Sequence, residues 1–340
     1  MENFKFINYK NFAQFLAVLS EKYNVIVAEG NKDYFWKEFD GAFNYNKYRT
    51  VTSIRQFFLP SKEKLDTYFL SSQSKPKPFC IVGAKACDLV SLYIQDYCFL
   101  TEPTDEHYQY FRNNNFIISS DCTDFKEACF CLALGINPYP EVFFDLNISD
   151  VGNGYLVKLG SEKGEKTTEE CKDYFQEAQK SLILQQNTMR QDLIGKLSLH
   201  IDKLEFPRNQ NLYELIKKNY TNDIWQQESL RCVECGACIM NCPTCHCFLL
   251  FDEKENSQFI RARTWDGCQY KNFVRVAGGA NPLKFRAQRL RNRYIKKFDF
   301  FYQRISRYAC TGCGRCVESC IAKIDIREIF KTIAKSTLNV

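Results

Sequence analysis

Six of the eighteen cysteines fall within sixteen residues, Cys232 to Cys247. The first four read Cys232-x2-Cys235-x2-Cys238-x3-Cys242-Pro243, and the rhythm returns as Cys310-x2-Cys313-x2-Cys316-x3-Cys320. Steps of x2 let a tight loop offer one thiolate to each of three corners of an iron–sulfur cubane. The fourth cysteine then leaves the loop and reaches a neighbouring cubane. The spacing therefore predicts two [4Fe–4S] clusters held crosswise: Cys232, Cys235, Cys238 and Cys320 for the first, Cys310, Cys313, Cys316 and Cys242 for the second. Gly236, Gly312 and Gly314 fall where the backbone must come close to the sulfurs. Ile321 stands where the first run has Pro243.

Other uses of thiols fit less well. Zinc ribbons use two separated Cys-x2-4-Cys knuckles, unlike this doubled run, and with three histidines (His107, His200, His246) His-rich zinc sites are excluded. Disulfide frameworks serve small secreted domains with weak cores. This chain has 340 residues, 45% of them apolar, and its start, MENFKFINYK, lacks the pattern of a secretory signal. No stretch approaches the roughly 18 unbroken apolar residues of a spanning helix, so a cytoplasmic protein without a membrane span is expected.

Ten cysteines lie outside the eight. Cys87 (GAKACDL), Cys122 (SSDCTD), Cys129 and Cys131 (EACFCLALG) follow strands or sit in loops, where ligands can converge at the carboxyl ends of a parallel sheet. A third [4Fe–4S] site and ordinary buried thiols are both open readings, since cysteine is among the most buried residue types. Cys245, Cys247 and Cys268 form a possible further set, read first as packing or as support around a cluster. Cys80, Cys98 and Cys171 read as structural.

The elements that must position these residues divide the chain in three. Residues 1–162 read as an α/β domain: a helix over 9–23, a strand at 24–30, strand–turn–helix over 79–97, a strand at 116–120, and a hairpin over 142–160 around Gly152-Asn153-Gly154. Residues 163–225 read as an exposed helical linker bridging two domains, with a helix over NLYELIKKNYTNDIWQQ. Residues 226–340 read as a mainly α-helical, dicluster ferredoxin-like domain. Sixty-seven residues separate Cys242 from Cys310, and LKFRAQRLRNRYIKKF (283–298) within them carries an apolar stripe: Leu283, Ala287, Leu290, Tyr294, Phe298. Its seven basic residues read as a solvated face, a docking face for an acidic partner, or charge that raises a cluster potential. The formal charge of +6 is weak evidence for nucleic acid. Each oxidised tetrathiolate cluster carries roughly −2, so two or three would cancel about four to six of these charges.

RCVECGACIMNCPTCHCFLLFD, RTWDGCQYKNFVRVAGGANPLKFRAQRLRNRY and ACTGCGRCVESC resemble the iron–sulfur subunit family shared by sulfhydrogenase, where it is the beta subunit, and anaerobic sulfite reductase. GAKACDL and DCTDFKEACFCLALG extend the resemblance, which favours the third cluster. It implies an electron-transfer subunit that is not itself catalytic. Its partners would be a flavin- and NAD(P)-binding diaphorase subunit, together with a catalytic redox subunit of nickel–iron hydrogenase or sirohaem sulfite reductase type. Single electrons would pass through the clusters. No acid–base or nucleophile constellation stands out, and no glycine-rich dinucleotide fingerprint follows a strand. Two other readings are a stand-alone reductase using an open-site cluster, in which Cys245, Cys247 and Cys268 would matter most, and a zinc-dependent interaction module.

Overall fold

The computed structural model describes residues 3–67, 75–255 and 258–338. Its first half is built on an eight-stranded sheet of order β3-β2-β5-β6-β7-β8-β1-β9. The strands are β1 (Phe4–Asn8), β2 (Asn24–Gly30), β3 (Tyr34–Glu38), β5 (Phe79–Ala84), β6 (Phe116–Ser120), β7 (Leu146–Asp150), β8 (Gly154–Leu159) and β9 (Gln176–Glu177). β2, β5, β6 and β7 run parallel, while the flanking pairs are antiparallel. Helix Tyr9–Lys22 starts where the Asn8 side chain accepts a hydrogen bond from the Asn11 amide. It buries Phe12, Phe15, Leu16 and Leu19, the stripe read from the sequence, against one face of the sheet. The other face packs on the helices after β5. Cys87 and Cys122 follow the carboxyl ends of β5 and β6.

The linker expected over 163–225 is not an exposed bridge. Helix Lys180–Lys203 buries Gln186, Leu193, Leu197 and Ile201, and Leu197 and Ile201 belong to the core of the second half. The Gln186 amide donates to Ser149 Oγ at 2.6 Å. The single helix expected over 211–227 is two, Leu212–Lys218 and Ile224–Arg231. Asn219 and Asn222 break it, because their side chains bond to local backbone groups that a continuous helix would use.

The second half is mainly helical. Leu290, Tyr294, Phe298 and Phe330 pack with Leu215, Ile216 and Trp225. A three-stranded antiparallel sheet, unforeseen from sequence, joins the halves. It has the order β10 (Phe248–Glu255), β11 (Gln258–Trp265), β4 (Lys62–Thr67). The basic helix runs from Arg286 through a π-turn at Lys296–Phe300 to Ile305. Of its expected apolar stripe Leu290, Tyr294 and Phe298 are buried, while Leu283, which precedes the helix, and Ala287 are half-buried; Arg289, Arg293 and Lys297 are buried too, so this face is not simply solvated. No helix among the described residues is long and apolar enough to cross a membrane.

Candidate metal centre

The two cysteine runs fold alike. Each forms a loop ending in a left-handed glycine, Gly236 (φ 75°) or Gly314 (φ 71°), that opens a four-residue helix, Ala237–Met240 or Arg315–Glu318. A side chain at either position would be strained and would collide, at Gly314 within 2.2 Å of the Ala128 carbonyl oxygen. Cys232, Cys235, Cys238 and Cys320 line one cleft, so the crosswise set expected for the first cluster is brought together. The Ile324 amide donates to Cys320 Sγ at 3.3 Å.

Cys242, Cys310 and Cys316 lie close enough for their charges to act on one another, and Cys313 acts on Cys316. This second set sits between two others: Cys316 also lines the first space and Cys313 lines a third. Burial pushes the Cys238 and Cys310 thiols up to about 12. Thiolates form there only against positive charge. Cys242 is the exception, held well below the usual thiol range by a hydrogen bond from Cys245 and by the Lys297 and Arg293 cations.

Buried cations surround these sulfurs. Lys297 Nζ lies 3.3 Å from Cys242 Sγ, 2.8 Å from Thr244 Oγ1 and 3.0 Å from the Ala309 carbonyl oxygen. Burial opposes its charge, but the Cys242 and Cys245 sulfurs more than offset this and hold its pKa above the ordinary lysine value. Arg293 is buried beside Cys316 and Cys238. Arg55 donates to the Cys245 and Met240 carbonyls at 2.7 Å each and stacks 3.6 Å over Trp265. Among the described residues none of the three is ion-paired to a carboxylate, and Nε of Arg293 and of Arg55 lacks a hydrogen-bond partner. Burying an unbalanced cation costs several kcal/mol. The residues fit tetrathiolate iron–sulfur centres, whose negative charge would balance them.

Cys87, Cys122, Cys129 and Cys131 line one cleft with Arg49 and Cys313 in its wall. Lys85, wholly buried, donates to Ser120 Oγ at 2.7 Å and to the Asn46 and Asp121 carbonyls, and burial lowers its pKa to about 8. This third set abuts the second run. The Phe130 amide donates to the Gly312 carbonyl at 2.8 Å, and Cys129 Sγ lies 3.9 Å from the Cys313 carbonyl oxygen. Arg49 Nε donates to that same carbonyl at 2.5 Å and pairs with Glu318 at 2.8 Å. Arg315 pairs with Asp88 at 2.8 Å, both side chains 1% exposed.

Cys245, Cys247 and Cys268 do not form a separate set. Cys245 bonds to Cys242, whereas Cys268 lies near both Cys247 and Cys238. No three His, Cys, Asp or Glu side chains among the described residues converge on a single-ion position. Cys80 and Cys171 pack in the sheet core, and Cys98 packs beside Cys247. The inward cations missed from sequence are Arg55 and Lys85, whereas Arg293 and Lys297 stood among the seven basic residues read in part as charge beside a cluster. For Arg293 and Lys297 the signal was present: with Arg289 they recur every four residues alongside the apolar stripe.

Residues 231–324 match the 4Fe-4S dicluster domain. The chain is also similar to the sulfhydrogenase 2 subunit beta of Pyrococcus furiosus, with 27% identity over 294 residues, 85% of each chain. The two findings together support an iron–sulfur electron-transfer role, and they identify the region holding both cysteine runs as a 4Fe-4S dicluster domain within a chain that resembles an oxidoreductase subunit.

Proposed function

We propose that the chain relays single electrons through three [4Fe–4S] clusters within an oxidoreductase complex. Cys232, Cys235, Cys238 and Cys320 hold the first, Cys310, Cys313, Cys316 and Cys242 the second, and Cys87, Cys122, Cys129 and Cys131 the third. When bound, the clusters supply one-electron carriers, and this chain's residues set their spacing, charge and access to water. One end of the relay faces a flavin- and NAD(P)-binding subunit. The other faces a catalytic subunit of hydrogenase or of sulfur- or sulfite-reductase type.

The observation that carries this reading is the order of the thiol sets. The loops of the third set pack on the loop of the second, and the second shares Cys316 with the wall of the first. The buried cations beside them support anionic centres rather than free thiols. Iron and acid-labile sulfide per chain, measured after anaerobic purification, test it. About twelve of each are expected; about eight would remove the third cluster. Cys316→Ala loses about four irons and one cluster's electron paramagnetic resonance signal, while Cys171→Ala keeps the full complement. Equal iron contents in the two variants would refute the assignment.

A further inference from the structure

The surface around the first thiol set differs from that around the other two. Cys235 is exposed, and four apolar side chains beside the ligands face outward: Leu230 (71% exposed), Val233 (61%), Phe285 (62%) and Ile321 (73%). Leu230 and Val233 stand on either side of Cys232 in the chain. Val233 lines the same space as the ligands, Ile321 follows Cys320, and Arg286, next to Phe285, donates to the Cys232 carbonyl at 2.7 Å. The Tyr270 hydroxyl packs against Gly236, and Lys271, next in the chain, is exposed. Of the acids here, Glu234 pairs with Arg286 and Arg289, Glu228 with Arg231 and Asp325 with Arg327, while Asp266, within electrostatic reach of Tyr270, accepts from the Gly267 amide. Exposed Lys271, Lys284 and Lys323 have no carboxylate partner among the described residues. An apolar centre with a basic rim thus surrounds a proposed cluster.

We infer that this patch docks an acidic redox protein that exchanges one electron with the first cluster. The inference rests on the relay proposed above and assigns it one terminus. An apolar contact excludes water and shortens the electron's path, while opposite charges steer encounter. A second copy of this chain would bring like charges together across a two-fold axis. A lipid surface offers no redox centre to meet the cluster.

The test uses the full chain with its clusters assembled anaerobically and reduced by dithionite, mixed with an oxidised acidic plant-type [2Fe–2S] ferredoxin. The cluster loses one electron and the ferredoxin gains it. The bimolecular rate should fall about tenfold between low and high salt. Lys271→Glu/Lys284→Glu should lower the low-salt rate about tenfold and flatten the salt dependence. It should leave the cluster spectra, and the rate with uncharged menadione, unchanged. Ile321→Gln should slow ferredoxin alone. Wild-type rates in these variants, or an equal loss in Lys10→Glu/Lys22→Glu on the remote helix, would overturn the inference. So would unaltered ferredoxin rates with patch-dependent binding to phosphatidylserine vesicles, or with patch-dependent dimers in sedimentation. Absence of acid-labile sulfide, read before any rate, would instead bring down the relay itself.

Discussion

Lys297 shows most clearly how single residues shape this site. It sits on a π-turn, wholly enclosed, with its ammonium against the Cys242 sulfur and no carboxylate among the described residues to balance it. π-Turns often mark functional positions, and this one continues the buried row of Arg289 and Arg293 that precedes it. A fixed cation beside a cluster favours the more negative, reduced form. Lys297→Met should therefore lower one midpoint potential. The loss of a charged hydrogen bond worth about 1.5 kcal/mol corresponds to a fall on the order of 60 mV for one electron. Lys297→Arg should restore most of it. An anaerobic redox titration followed by electron paramagnetic resonance reads the change, and a potential that stays in place in Lys297→Met would show that Lys297 only fills space. At this scale the sequence was most legible for the two cysteine runs, whose spacing falls in the region that matches a 4Fe-4S dicluster domain. It was least legible for Arg55 and Lys85, whose neighbours come from distant strands and loops.

Among the elements, legibility followed locality. The helix over 9–23 and the strands at 24–30 and 116–120 were readable because each buries its own stripe or run. The sheet of β4, β10 and β11 was not, because its third strand comes from residues 62–67 and β10 leaves Phe248, Leu249 and Leu250 exposed. That sheet is fastened by a charge cluster. Arg263, 3% exposed, pairs with Glu63 at 2.6 Å and with Asp105, while His107 lies 3.2 Å from Glu63. The hydrogen bond to Glu63 raises the His107 pKa above its ordinary value of about 6.5. A histidine raised on folding binds more protons folded than unfolded. Its contribution is present below about pH 6.5 and is lost as pH rises through the folded value. Urea unfolding should thus show this clamp weakening above neutrality, and His107→Gln should remove that slope. An unchanged slope in the variant would place the titration elsewhere.

Across the whole molecule, the cysteine-rich half and the sheet half share a buried interior. Asp88 follows Cys87 at the head of the helix after β5, and Arg315 stands inside the second cysteine run. Nothing in the sequence around Asp88 announces a partner 227 positions away. Removing one member of such a pair strands the other without water. Asp88→Ala should cost about 3–5 kcal/mol in equilibrium unfolding, and substituting Asp88 and Arg315 together should cost less than the two single changes summed. Strict additivity would mean that the pair is incidental to joining the halves.

The close approach of residues 128–131 to residues 312–314 also bears on protein engineering. The dicluster region is not a cassette that can be lifted out and grafted onto another scaffold. Part of its casing is supplied by the sheet half, so a transplanted copy would need a surrogate for that wall before its inner loop could keep its shape.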